Sequence, residues 1–168
     1  MGSNVDSNII FCDYVPTVTR KTAIYAIEAA EKVCKENDRE IPFIFTSAAE
    51  VGWGEDSMQP GGKQIESLLA PQWLKRYLAA KRAVEARLQV SSDEKLLRQV
   101  IFRPSLIFSF DRLASLPPVG AFFVGNKLGF PFVDRPVTVQ SLANAMVSSL
   151  KDDSIQGVQR YAQIDKLN

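Results

Sequence analysis

The sequence predicts a single α/β domain, residues 1–168, whose core is a parallel sheet with helices on its faces. Amphipathic helical segments alternate along the chain with short, continuously apolar segments. A strand of a parallel sheet is buried on both faces and therefore lacks polar alternation. Helices that alternate with such strands favour a parallel sheet. The composition, 46% hydrophobic and 23% charged, is that of one ordinary globular domain.

The first part of the chain predicts a helix, a strand and a long loop. Residues 17–37 carry apolar side chains at helical spacing, with Thr17 or Thr19 as a candidate N-cap. Residues 41–48 form a continuous apolar run, which predicts a strand buried on both faces. Residues 49–70 are rich in glycine and polar residues and predict a loop, of the length that lids and insertions have.

The middle of the chain predicts a second helix and a second strand. Residues 71–90 have the periodicity of an amphipathic helix. The apolar residues 99–108 predict a buried strand, which Pro104 ends or bends because proline lacks the N–H that a sheet requires. The segment from 116 to 136 contains four prolines and is predicted to be irregular.

The carboxyl-terminal part predicts a further helix and a short strand. Residues 139–150 form an amphipathic segment that is entered through Thr138, a good N-cap residue. Residues 158–162 then predict a last strand. The resulting order of helix, strand, helix, strand and helix is the repeat from which parallel α/β sheets are built.

The composition excludes several classes of site. The chain has no histidine, which excludes a Ser-His-Asp or Cys-His nucleophile and any histidine-ligated metal, and we predict no metal site. The two cysteines, Cys12 and Cys34, predict unpaired buried thiols, with a lone disulfide as the alternative. A net charge of +1 favours no nucleic-acid partner, and no apolar run has the roughly 18 residues of a membrane span.

The pair Tyr77 and Lys81 is the main candidate for chemistry. Side chains four positions apart lie on one face of a helix, so the phenol and the ammonium can point at the same site. An ammonium nearby favours the phenolate and would bring a phenol, whose pKa is ordinarily about 10, toward proton transfer at neutral pH. The alternative is an exposed helical pair with no chemical role.

Residues at the ends of the two predicted strands add to the site that Tyr77 and Lys81 suggest. The first strand ends in Thr-Ser-Ala, which places the hydroxyl of Ser47 at the carboxyl edge of the sheet, where doubly wound folds bind their ligands. The second strand carries Arg103 and Pro104. A serine at a strand end, a Tyr-xxx-Lys helix and a strand with Arg-Pro, in this order, resemble the short-chain dehydrogenase/reductase superfamily.

Further segments narrow the resemblance. Residues 43–48, 77–85 and 101–104 look like the atypical mitochondrial branch of this superfamily. That branch includes the nucleotide-binding accessory subunit of respiratory complex I and a relative linked to coenzyme Q (ubiquinone) biosynthesis. Residues 135–143, with the sequence RPVTVQSLA, are similar to the branch's PPV-x-V-x-S-x-A segment, and the ending at 157–161 is similar too.

The resemblance implies a Rossmann-like fold, an oxidoreductase-like site and binding of NAD or NADP. Tyr77 would be the general acid/base, and Ser47 would hydrogen-bond the substrate oxygen. Lys81 would hold the nicotinamide ribose and lower the pKa of the tyrosine. Arg103 and Pro104 would line the nicotinamide side of the pocket. A mitochondrial location is also implied, with the cytoplasm as the alternative.

The glycine-rich turn that binds the cofactor's pyrophosphate in this superfamily has no counterpart in the sequence. The resemblance therefore covers only the carboxyl-terminal half of such a domain, and we expect its amino-terminal strands to be absent. Their absence would expose an apolar edge strand, such as residues 43–45, which a protein partner would complete or cover. We expect the chain alone to bind NAD(P)H weakly and to show no dehydrogenase activity.

Two other functions stay open on the sequence. A non-catalytic scaffold or assembly factor of a mitochondrial complex would use the fold only as a packing surface. A nucleotide-sugar epimerase would need the same tyrosine and lysine, but it would also need a larger substrate domain than the short carboxyl-terminal region provides.

Overall fold

The computed structural model describes residues 7–54, 61–109, 120, 124–125, 127–128 and 134–167; of residues 7–16, 65 and 69 it describes the backbone. The helices in these ranges are α1 (Ser7–Asn37), α2 (Gly62–Leu69), α3 (Gln72–Asp93), α4 (Val139–Lys151) and α5 (Tyr161–Lys166). A 3-10 helix spans Ala49–Gly54. The strands are β1 (Ile41–Thr46), β2 (Leu97–Phe102), β3 (Ile107–Phe108), β4 (Val137–Thr138) and β5 (Gly157–Gln159).

A parallel sheet with the order β1-β2-β5 organises the fold. β2 is the central strand and pairs along its full length with β1, so that Ile41 lies opposite Leu97 and Thr46 opposite Phe102. β5 pairs with the last three residues of β2. The strands β3 and β4 form a separate parallel pair. The predicted class, a partial parallel α/β fold with helices on the sheet, is confirmed.

Helices cover both faces of this sheet. Alternate side chains of β2 point to opposite faces because a strand repeats every two residues. Leu97 and Ile101 pack on one face against α1 and α3, in a cluster with Ile27, Val84 and Leu88. Val100 and Phe102 pack on the other face, in a cluster with Val137, Leu142, Ala145 and Ile164. The core therefore consists of two apolar layers that share β2.

A charged residue, Arg98, lies within this central strand and is 6% exposed. Its guanidinium donates to the carbonyl of Ile155 at 2.7 Å and to that of Ser149 at 3.0 Å, and it forms an ion pair with Asp153 at 3.0 Å. Burial of a charge is tolerated only when its donors are satisfied. Arg98 therefore fixes the turn after α4 against the sheet.

The second strand is buried, as predicted, but the first strand is less buried than predicted. Every residue of β2 is buried, whereas every residue of β1 is half-buried. β1 occupies the edge of the described sheet, and α1 and α3 cover its residues only in part. The strand over residues 41–48 is confirmed from Ile41 to Thr46, but the prediction that it is buried on both faces is wrong.

The predicted loop over residues 49–70 is also wrong, because this segment contains the 3-10 helix and α2. α2 starts after Gly61, whose φ of 83° lies in the left-handed region that glycine adopts without strain. Glycines that predicted a loop thus serve as the start of a helix. The helix predicted from residue 17 begins at Ser7, so Thr17 and Thr19 lie inside α1 and are not N-caps.

Other predictions for single elements have mixed outcomes. Thr138 caps α4, since its hydroxyl accepts from the N–H of Ser141 at 3.0 Å, as predicted. β2 ends two residues before Pro104, also as predicted. The strand expected over 158–162 is β5 followed by a helix that begins at Tyr161. Most of the segment 116–136, which was predicted to be irregular, lies outside the described residues. Cys34 is a free buried thiol, as predicted, and the side chain of Cys12 lies outside the description.

A buried ion pair joins α3 to the end of the central strand. The guanidinium of Arg103 donates to both carboxylate oxygens of Glu85, at 3.2 Å and 2.5 Å. The two side chains are 4% and 9% exposed. The backbone N–H of Arg103 also donates to the carbonyl of Gln159 at 2.9 Å, so the sheet's pairing extends one residue beyond β2. The pair therefore sets the position of α3 along its own axis relative to the end of β2.

Substitution of one member of this pair should destabilise the fold strongly. We expect Arg103→Met to lower the free energy of unfolding by about 3–5 kcal/mol, because it leaves the carboxylate of Glu85 buried without its cation. The double variant Arg103→Met with Glu85→Leu should be more stable than the single variant, since neither charge then remains. Chemical denaturation measures both values.

The exposed pair of Lys32 and Glu36, 77% and 60% exposed, provides the matched control. Lys32→Met should change the free energy of unfolding by less than about 1 kcal/mol. If Arg103→Met were as mild as this control, the buried pair would not hold α3 in place.

Candidate functional site at the carboxyl edge of the sheet

A cleft of about 490 Å³ lies at the carboxyl ends of β1 and β2. The segments that follow both strands form its floor, and the first half of α3 forms one wall. The lining residues are mainly apolar or aromatic, with a few hydroxyl and carboxyl groups: Ser47, Ala48, Glu50, Trp53, Trp73, Leu74, Tyr77, Pro104, Ser105 and Ile107. A largely apolar cleft with a few polar groups at this edge is the usual form of a ligand site in a parallel α/β fold.

Ser47 occupies its place because the pairing of β1 and β2 continues past the strand ends. The N–H of Ser47 donates to the carbonyl of Phe102 at 2.7 Å, and that of Ala49 to Pro104 at 3.0 Å. The side chain of Ser47 is 5% exposed, and its Oγ has no hydrogen-bond partner among the described residues. Such a hydroxyl costs about 1–3 kcal/mol when it is left unpaired. A ligand oxygen or N–H in the cleft would satisfy it.

Tyr77 and Lys81 lie on the face of α3 that meets this edge. The ammonium of Lys81 donates to the carbonyl of Thr46 at 2.7 Å. It also lies 5.5 Å from the centroid of the Tyr77 ring and 4.6 Å from that of Phe45. The structure thus brings Ser47, Tyr77 and Lys81 together: the first two line the cleft, and the third holds the backbone directly before Ser47.

The protonation of this group differs from the expectation. The pKa of Tyr77 is raised, first because burial disfavours the phenolate and second because the charge of Glu50 lies nearby. The expected lowering of this pKa by Lys81 is therefore wrong. The pKa of Lys81 is itself lowered by burial, against an opposing effect of Glu85. Tyr77 is a neutral hydroxyl at physiological pH and can donate a proton or a hydrogen bond.

Arg103 and Pro104 were expected to line one pocket, and the structure separates them. Pro104 lines the cleft with Ser47 and Tyr77. Arg103 lines a different cavity, of about 390 Å³, between α3 and the strands β2 and β5, and its guanidinium binds Glu85. Neighbouring residues of an extended chain point in opposite directions, so both side chains cannot face the same cleft. Of the two residues expected on the nicotinamide side, only Pro104 therefore lines the cleft that contains Ser47.

Three further residues that line the cleft were not predicted from the sequence. Trp53 belongs to the 3-10 helix and Trp73 to the first turn of α3, so both tryptophans of the chain line the cleft. Glu50, one turn before Trp53, contributes a carboxyl. An aromatic residue between Gly52 and Gly54 was the available signal, and the glycine content obscured it because it favoured a loop.

Arg82, on α3, binds the 3-10 helix that carries Glu50 and Trp53. Its Nε donates to the carbonyl of Val51 at 3.1 Å, and its two terminal nitrogens bind the two carboxylate oxygens of Glu66 on α2. A bidentate guanidinium–carboxylate pair has a defined geometry as well as a charge. Arg82 therefore holds the 3-10 helix and α2 in one arrangement beside Tyr77.

No protein-family model, curated protein or solved structure matches this chain. The resemblance to short-chain dehydrogenases remains a prediction from the sequence. Of the described helices, none has both the length and the apolar character that a membrane span needs.

Gly62 provides a test of the cleft's second wall. A Cβ at this position would lie 2.5 Å from the carbonyl oxygen and 2.7 Å from the Cα of Trp53. Because these are backbone atoms, no change of rotamer relieves the contact. We expect Gly62→Ala to displace Trp53, to shift the tryptophan emission spectrum and to lower the free energy of unfolding by about 1–3 kcal/mol.

Gly120→Ala is the control for this substitution, since none of the described residues places an atom within 4 Å of the added Cβ. It should leave the tryptophan emission unchanged. Equal spectra for the wild type and both variants would show that Gly62 does not set the position of the wall.

Proposed function

We propose that this chain forms the nicotinamide- and substrate-binding part of an NAD(P)-dependent short-chain dehydrogenase/reductase-like domain. The observation that carries the proposal is the buried, unpartnered hydroxyl of Ser47 beside Tyr77 in the cleft at the carboxyl edge. Ser47 and Tyr77 each bring a hydroxyl to this lining, and a ligand carbonyl has two lone pairs with which to accept from both.

The chain's own residues would then have distinct tasks. Ser47 orients the substrate oxygen, and Tyr77, which its raised pKa keeps protonated, donates a hydrogen bond and then its proton to that oxygen. A bound reduced nicotinamide supplies the hydride in this chemistry. Lys81 uses one of its three N–H donors on Thr46, and the two others can serve a ribose hydroxyl. Pro104 closes the floor of the cleft.

By resemblance we propose a mitochondrial protein of the respiratory chain or of coenzyme Q biosynthesis. A protein partner would cover β1, whose outer edge has no neighbour in the described sheet. An unpaired strand edge is the usual place for such an addition.

A non-catalytic scaffold is the second candidate, and one feature of the site favours it. The two cations expected to contact the cofactor both serve the fold: Lys81 binds the carbonyl of Thr46, and Arg103 binds Glu85. On this alternative the cleft is a consequence of how α3 packs, and no ligand enters it.

Titration with reduced nicotinamide mononucleotide and with NADH separates the two candidates. Both tryptophans line the cleft, so their emission, which overlaps the absorption of the reduced nicotinamide ring, should pass to a bound ring by energy transfer. We expect saturation with a dissociation constant of roughly 1 mM, as a few hydrogen bonds allow after the cost of association.

Tyr77→Phe should weaken this binding by about three- to tenfold, as the loss of one hydrogen bond does. Tyr25→Phe is the matched control, because Tyr25 lies on α1 and is 66% exposed. Energy transfer that never saturates, or that responds equally to both variants, would favour the scaffold.

A further inference from the structure

The cleft contains a carboxyl group for which the proposed chemistry has no use. Glu50 lies in the 3-10 helix, one turn after Ser47, and lines the cleft with Ser47 and Ser105. Its carboxylate accepts from the hydroxyl of Ser105 at 3.4 Å, longer than the 2.5–3.0 Å typical of such bonds. Glu50 and Ser47 therefore supply two polar side chains to the cleft.

The rest of the lining is suited to a flat ring. Trp53, Trp73 and Tyr77 contribute aromatic surface, and Leu74 and Pro104 contribute aliphatic surface. Aromatic side chains pack well on ring faces and edges, and sites that bind small molecules combine such surface with a few converging polar groups.

We propose that the cleft binds an uncharged, planar ring compound that carries a carbonyl oxygen, and that protonated Glu50 donates a hydrogen bond to this oxygen together with Ser47. The inference rests on the proposed function in that it places the substrate in this cleft. The binding of the ring and the binding of nicotinamide are nevertheless measured separately.

The charges around Glu50 agree with a neutral carboxyl. Burial raises its pKa above the ordinary 4.5, and the negative charge of Asp134, in the segment before β4, acts in the same direction. Tyr77 faces it from α3, where the charge of Glu50 raises the pKa of the phenol. Ser105 faces it from the segment after β2 and is uncharged. The hydroxyl of Ser105 and the backbone N–H of Glu50 itself donate to the carboxyl and favour its ionised form, but burial has the larger effect and the pKa stays raised.

The raised pKa of Glu50 determines how the affinity of the cleft for a carbonyl compound should change with pH. Glu50 is a donor below its pKa and only an acceptor above it. Affinity for a carbonyl compound should be highest at low pH and should fall as the pH rises through the raised pKa of Glu50, which places the fall above pH 4.5. A glutamine at this position keeps an N–H donor at every pH.

Acetophenone is the neutral probe, with benzenesulfonate and benzyltrimethylammonium as its charged counterparts, and quenching of the two tryptophans reports binding. We expect wild-type affinity for acetophenone to fall several-fold with rising pH. Glu50→Gln should retain the low-pH affinity throughout, and Glu50→Ala should bind about three- to tenfold more weakly at low pH. Glu40→Gln, an exposed glutamate before β1, should behave as the wild type.

Two outcomes would overturn the inference. Tighter binding of benzyltrimethylammonium than of acetophenone, lost in Glu50→Gln, would mean that an ionised Glu50 binds a cation. Acetophenone binding that ignores both pH and Glu50→Ala would mean that this carboxyl does not contact the ligand. If acetophenone behaves as expected while nicotinamide fails to bind, the inference stands and the dehydrogenase proposal falls. If nicotinamide binds while acetophenone binding does not depend on Glu50, only the proposed role of Glu50 is wrong.

Discussion

The buried ion pair between Arg103 and Glu85 is the constraint on which the candidate site depends. It links the end of the central strand to the middle of α3, where both side chains are almost wholly enclosed. A buried charge strongly destabilises the fold unless an opposite charge is paired with it. A shift of α3 along the sheet would separate Arg103 from Glu85 and is therefore disfavoured. The register of α3 over the strand ends is therefore set at Glu85.

The site follows from that register through the helical repeat. Tyr77, Lys81 and Glu85 are spaced four residues apart and form one stripe of α3. With Glu85 fixed at the strand end, Lys81 reaches the carbonyl of Thr46 and Tyr77 reaches the cleft. Arg82, on the neighbouring stripe, attaches the 3-10 helix and α2 and so adds the tryptophan wall. One helix thus organises both sides of the cleft.

The sequence predicted those parts of the fold that depend on local periodicity. The buried strand ending before Pro104, the capped α4 and the convergence of Ser47 with Tyr77 follow from apolar runs, capping residues and strand order. What it missed depends on tertiary packing. Glycine content could not distinguish a loop from a tightly packed helix start at Gly62, and spacing alone could not show that burial would outweigh Lys81 in setting the pKa of Tyr77.

On the proposed function, the hydroxyls of Ser47 and Tyr77 bind one ligand oxygen in the cleft at the carboxyl edge. A crystal structure of the chain soaked with a carbonyl-bearing ring compound tests it most directly. We expect a carbonyl oxygen within about 2.6–3.2 Å of both hydroxyl oxygens, with the ring against Trp53 or Trp73. A ligand seated instead in the cavity beside Arg103, or a Ser47 hydroxyl bonded to another protein group, would contradict it.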